Sequence, residues 1–152
     1  MSDLFPHKDS YDNEGNLNVN GDVALQRSKM TFSPQGGIGG PLLNIFDMNS
    51  STECLIATTT GTGELTFEFS QKPLFKNFIV DLRHDWVAST STLTIEGSND
   101  NSAWTVLATK SLTADGNINL IASDVNYKYV KIKVVHPGDA SSWLQNVMAT
   151  TA

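Results

Sequence analysis

The sequence predicts an all-β fold: an eight- to nine-stranded antiparallel jelly-roll sandwich, preceded by an extended N-terminal arm. Three observations carry this. Short apolar runs recur roughly every ten to fifteen residues, the spacing of a many-stranded sandwich. Clusters of Gly, Asn, Asp and Ser separate the runs and supply turn chemistry. No stretch of about ten residues has the apolar spacing of an amphipathic helix.

The elements follow in chain order. Residues 1–22 contain "SDLFPHKDSYDNEGNLNVNGD", where apolar residues are few and scattered. Within it "DNEGNLNVNGD" reads as a turn, a short strand over 16–20 and another turn. The segment is too polar for a core of its own. It is either a surface tail, or an arm that orders by pairing with a neighbouring subunit. Its anchors would then be Leu4, Phe5, Tyr11, Leu17 and Val19.

Residues 23–152 make the sandwich. "VALQRSKMTF" reads as a strand, "SPQGGIGGP" as a loop and "LLNIFDMN" as a helical turn. "ECLIATTT" is a strand and "GTG" a turn. "ELTFEF" alternates with period two, which puts Leu65, Phe67 and Phe69 on one face. After the turn "SQKP", "LFKNFIVDLRH" places Phe78, Val80 and Leu82 together. "STLTIEG", "AWTVLATKSL", "NINLIA", "YKYVKIKVVH" and "WLQNVMATTA" complete the series. In "YVKIKV", Val130, Ile132 and Val134 point inward while Lys131 and Lys133 point to water, where they would blunt an edge strand. The hairpin "TLTIEGSNDNSAWTVL" is specified by Asn99, Asp100 and Asn101, which tolerate turn conformations. Gly97 allows a bulge or a close approach, and Trp104 is expected in or beside the core.

Charge narrows the partners. The chain of 152 residues carries 10 basic and 16 acidic residues, for a net charge of −6. It has no Lys/Arg cluster able to track phosphates, which argues against nucleic acid and anionic membranes. The single cysteine, Cys54, lies in the apolar run "CLIA" and reads as a buried, inert thiol. The acidic N-terminus lacks the apolar core of a signal peptide, and no stretch approaches the length of a membrane span. The expected site of synthesis is therefore a cytoplasm.

"LTIEGSNDNSAWTVL" followed by "YKYVKIKV" resembles the discoidin, or coagulation-factor type C, family of galactose-binding-like β-sandwiches. "NIFDMNSST" resembles the family's Asp loop, and "ELTFEFSQKPLFKNFIVDL" its hydrophobic strand pair. The resemblance covers about residues 23–152. It implies a site for a structural calcium ion on that loop, with Asp47, Asn49 and Thr52 as ligands. Calcium affinity depends on carboxylate count, and this set has one. The C-terminal region, where the family adds an acidic ligand, reads "WLQNVM". The preferred reading is that Asp47 and Thr52 cap a turn, and no cofactor is expected.

Ligands of such sandwiches bind at end loops. Two loops are rich in suitable groups: "RHDWVASTS", with Arg83, His84, Asp85 and Trp86, and "HPGDASSW", with His136, Asp139 and Trp143. An aromatic face with planar polar groups beside it suits a sugar ring. The competing reading is that Trp86 packs under its loop and Arg83–Asp85 is a surface ion pair worth little. The three histidines, His7, His84 and His136, lack metal-ligand spacing, and no nucleophile elbow or phosphate loop is present. An enzyme is not expected.

Three functions compete. The arm resembles short strand-forming segments of phage structural proteins. That points first to a non-enzymatic virion protein of a tailed phage, a capsid decoration or a tail or baseplate component. It would attach through its arm to other virion proteins or to copies of itself, as a homo-oligomer. The alternative is a carbohydrate-binding module for cell-surface or polysaccharide glycans, the usual work of the resembled family. The third is an intracellular scaffold.

Overall fold

The computed structural model describes residues 29–35, 40, 42, 45, 49, 51–69, 72–85 and 90–150. Nine strands occur among them: β1 (Lys29–Ser33), β2 (Cys54–Ala57), β3 (Gly61–Glu68), β4 (Phe75–Asp85), β5 (Ser91–Ser98), β6 (Thr105–Leu112), β7 (Gly116–Val125), β8 (Tyr129–His136) and β9 (Ser141–Thr150). They form two antiparallel sheets, a five-stranded one in the order β1-β3-β8-β5-β6 and a four-stranded one in the order β2-β9-β4-β7. This is the sandwich that the sequence predicts.

Period-two alternation builds the core. Leu65 and Phe67 from β3 with Phe69 just past its end, Phe78, Val80 and Leu82 from β4, and Val130, Ile132 and Val134 from β8 are all fully enclosed. Phe67 and Phe78 come from opposite sheets and meet edge-on, with ring centroids 5.8 Å apart. Phe75 packs edge-on against Phe69 at 5.4 Å. Edge-on aromatic pairs of this kind contribute roughly 0.5–1.5 kcal/mol beyond the area they bury.

Three local expectations are corrected. "GTG" is not a turn: β3 begins at Gly61, whose partner on β8 is His136. The glycines serve close approach instead. A Cβ on Gly63 would lie 2.0 Å from the Ile56 carbonyl oxygen of β2, so only glycine lets the two backbones come this near. Secondly, β8 is not an edge strand, because it lies between β3 and β5. Its outward lysines answer charge rather than guard an edge: Lys131 Nζ is 3.4 Å from Glu64 and Lys133 Nζ 3.9 Å from Glu96. Thirdly, Trp104 is half-buried and lies outside the core, on the outer face, with the Lys131 ammonium 4.0 Å from its ring centroid.

The hairpin itself forms as expected. β5 and β6 pair with a register shift between Ile95 and Glu96. Asp100 Oδ1 accepts the backbone N–H groups of Ser102 (2.9 Å) and Ala103 (2.8 Å), and Asn101 takes φ 59°. The Tyr127 ring lies over Gly97.

Strand direction sorts the connections into two groups. The β2–β3, β4–β5, β6–β7 and β8–β9 connections lie at one end, and the β5–β6 hairpin with β3–β4 and β7–β8 at the other. Both loops predicted to carry ligand groups therefore reach the same end, far from the 98–104 hairpin.

Candidate functional site

Alternation along β4 decides what its last residues can do. His84 shares the inward face with Phe78, Val80 and Leu82, while Arg83 and Asp85 face outward. The register with β9 then pairs Arg83 with Trp143 and His84 with Ser142. One pair lies on the outer face of the four-stranded sheet, the other inside the sandwich.

On the outer face, the Arg83 guanidinium carbon sits 3.8 Å from the centroid of the half-buried Trp143 ring. Arg83 Nε donates to Glu53 Oε2 at 2.7 Å and Nη2 to Glu53 Oε1 at 3.0 Å. Arg83 Nη1 donates to Asp85 Oδ1 at 3.0 Å. The hydrogen bond to Glu53 is the largest influence raising the Arg83 pKa above its ordinary value, and both carboxylates add to it. A forked guanidinium–carboxylate pair stacked on an indole is rigid and planar. This is more than the Arg83–Asp85 surface pair read from the sequence.

Inside, the Ser142 Oγ lies 2.8 Å from His84 Nδ1 and 2.9 Å from His136 Nε2. His136 Nδ1 lies 3.2 Å from the Thr59 carbonyl oxygen. A carbonyl only accepts, so His136 carries its proton on Nδ1 and offers a lone pair at Nε2. The Ser142 hydroxyl then donates to His136 and accepts from His84 Nδ1–H. His84 Nε2 is left as a bare lone pair, and it has no partner among the described residues. Burial is the main cause that lowers both histidine pKa values, and the neighbouring His136 lowers that of His84 further. Ser142 and His136 have the hydrogen bond of a nucleophile and its base. All three side chains are enclosed, however, so no substrate reaches the hydroxyl.

The structure thus divides the predicted sugar residues. Arg83, Asp85 and Trp143 come together on the surface. His84 and His136 come together beneath them, fully enclosed. Trp86 lies outside the described residues, as do Asp47 and the arm residues Leu4, Phe5, Tyr11, Leu17 and Val19. Asn49 and Thr52 are occupied in a turn: Asn49 Oδ1 accepts the Ser51 N–H at 3.0 Å, and Thr52 Oγ1 donates to the Asn49 carbonyl at 2.9 Å. The described residues contain no group of three or more His, Cys, Asp or Glu placed to hold a metal ion. No helix among them is long and apolar enough to cross a membrane.

Sequence reasoning missed Glu53, Ser142 and Thr59. Glu53 carried no signal, since it joins Arg83 only because β2 lies beside β9. Ser142 could have been found by aligning the alternation of "SSWL" with that of "DLRH".

The F5/8 type C domain model matches residues 28–147. The chain belongs to the F5/8 type C domain family. Among the curated proteins none matches this F5/8 type C domain. Solved structures similar to it include the Ruminococcus gnavus GH29 fucosidase E1_10125 in complex with fucose, at 15% identity and a TM-score of 0.61, over 82% of this chain and 25% of the fucosidase. Another is chitosan-binding module 1 of the chitosanase/glucanase from Paenibacillus sp. IK-5, at 20% identity and a TM-score of 0.54, over 80% of this chain and 93% of the module. A third is the module CpGH89CBM32-5 from Clostridium perfringens, in complex with GalNAc-β-1,3-galactose, at 12% identity and a TM-score of 0.54, over 82% of this chain and 95% of the module. The chain spans only a quarter of the fucosidase, and nearly the whole of the two sugar-binding modules.

Proposed function

We propose that this F5/8 type C domain is a carbohydrate-binding module that takes glycans at the end where β4 stops and β9 begins. The observation that carries this is the Arg83–Trp143 stack with Glu53 and Asp85 at its border. A sugar ring offers a flat C–H face and a rim of hydroxyls. The stack supplies a flat surface, and the carboxylates supply acceptors for the hydroxyls. The similarity to sugar-binding modules supports the same reading. None of the neighbours named above is a virion protein, so they favour glycan binding over the virion role expected from the arm.

Charge selects among glycans. The described residues at this end include Glu53, Asp85, Asp115 and Asp139. The guanidinium of Arg83 is already held by two of these carboxylates. A polyuronate would meet like charge, whereas neutral and amino sugars meet acceptors. The test is affinity electrophoresis through gels carrying neutral, amino or uronic polysaccharides, with Trp143→Ala as the comparison. Retention by a neutral or amino glycan is expected, with about a tenfold loss in Trp143→Ala, the equivalent of ~1.4 kcal/mol. No retention at high protein concentration would refute the reading.

A further inference from the structure

We propose that the His84–Ser142–His136 chain is an acid-released latch, which holds the glycan-binding end in shape at neutral pH and loosens it in mild acid. The regulatory half of this rests on the binding-module reading above; the latch itself does not.

The chain of hydrogen bonds spans the sandwich. His84 on β4 and Ser142 on β9 belong to the four-stranded sheet, and His136 on β8 to the five-stranded one. Thr59 lies in the β2–β3 connection. The links Thr59–His136, His136–Ser142 and Ser142–His84 therefore tie both sheets together at this end, directly beneath the Arg83–Trp143 stack. Beside the latch, Thr58 Oγ1, just past β2, lies 3.1 Å from Ser141 Oγ of the neighbouring β9.

The arrangement has one hydrogen-bonding order when both rings are neutral. A first proton goes to the bare lone pair on His84 Nε2. It places a cation where the ring has no exposed surface, with the His136 ring centroid 5.8 Å away. A second proton, on His136 Nε2, turns that nitrogen into a donor facing Ser142 Oγ. The hydroxyl already accepts from His84, and its own hydrogen then has no acceptor. The latch cannot carry two protons and keep its geometry.

The charged groups around it do not remove the penalty. Asp85 follows His84 on β4 but faces outward and pairs with Arg83. Asp115, in the β6–β7 connection, favours the protonated His84 ring, as Asp85 does more weakly, yet burial outweighs both. For His136 the Thr59 carbonyl favours protonation and burial again outweighs it. Asp139 lies on the exposed β8–β9 connection. The sign follows. Both histidines have folded-state pKa values below the ordinary 6.5. As pH falls through that value, an opened end binds protons that the closed end refuses. The closed state is therefore favoured fully above about pH 6.5, and progressively less as pH falls towards the folded pKa values.

Hydrogen exchange on the full chain at pH 7.5 and 5.5, corrected for intrinsic rates, tests the latch without any ligand. Amides of residues 58–61 and 140–143 are expected to open at least tenfold more often at pH 5.5, while Phe67 and Val130 at the other end stay unchanged. Equal opening at the two pH values overturns the latch. In the Asp115→Asn chain, which lacks the charge that favours a protonated His84, the closed end refuses its proton more strongly and the acid midpoint of opening is expected to move to higher pH; a move to lower pH overturns the assignment. Gel retention by the bound glycan is then measured across the same range. Retention that weakens with the exchange midpoint supports the regulatory half, and retention that ignores it overturns that half. A chain that binds no glycan at pH 7.5 overturns the binding-module reading, and the exchange ratio decides the latch by itself.

Discussion

Gly97 offers a substitution whose effect should change sign with its surroundings. It sits in β5 with an ordinary extended backbone, since the positive-φ glycines among the described residues are Gly40, Gly61 and Gly116. Alanine is thus allowed by the backbone, and only space opposes it. An added Cβ would meet Tyr127 Cδ2 at 2.5 Å and Cγ at 2.6 Å, against the 3.4 Å at which ordinary contact begins. These are atoms near the root of the ring, so the whole ring has to move. Overpacking of this kind costs roughly 1–3 kcal/mol. Against it stands a gain of about 0.4–1 kcal/mol, because alanine narrows the unfolded ensemble. Gly97→Ala should therefore destabilise the protein by about 1–2 kcal/mol, or lower Tm by roughly 2–8 °C for a domain of this size. In a Tyr127→Ala background the obstacle is gone and only the gain remains. There, Gly97→Ala should be neutral to stabilising, by up to ~1 kcal/mol. The four proteins of this cycle are compared by urea denaturation at constant m-value, where a coupling near 2 kcal/mol is well above error. If the effects of the two substitutions simply add, the ring does not occupy the space above Gly97 and the reasoning fails.

Two further outcomes follow from the same contacts. Cys54 is enclosed, and burial pushes its thiol pKa up to about 11. It should resist a thiol-specific disulfide reagent in the folded protein and react fully in denaturant; rapid labelling of the native chain would contradict its place in the core. Hydrogen bonds from the Ala103 and Ser102 amides hold the Asp100 pKa below its ordinary 3.8. Its support of the hairpin should therefore be complete above that value and fade only as pH falls through the lower folded-state pKa. Asp100→Ala should speed exchange of the Ser102 and Ala103 amides several-fold while leaving the β8 amides unchanged, which residue-resolved exchange reads directly.

Much of the fold was legible because strand alternation is a local signal. "LTFEF", "FIVDL" and "VKIKV" each state which side chains face the core without reference to one another. The hairpin at 98–104 was legible for the same reason, since its turn residues act on their own backbone. The errors came where a residue's role depends on a distant neighbour. "GTG" looked like a turn because close approach of β3 to β2 leaves no mark in the local sequence. The lysines of β8 looked like edge protection because strand order is not written in a single strand. Trp104 was expected in or beside the core, and the sheet placed it outside under Lys131.

The site divides along the same line. The sequence by itself determined that Arg83, Asp85 and Trp143 alternate away from His84 and Ser142, because period two admits no other arrangement within a strand. Only the tertiary structure decided that the outward set forms one stack with Glu53 and that the inward set forms one hydrogen-bonded chain with Thr59. Those meetings depend on the register of β4 against β9, and on bringing β2 and β8 to the same end of the sandwich. Register and sheet order are set by the packing of the whole core, so no stretch of the chain specifies them alone.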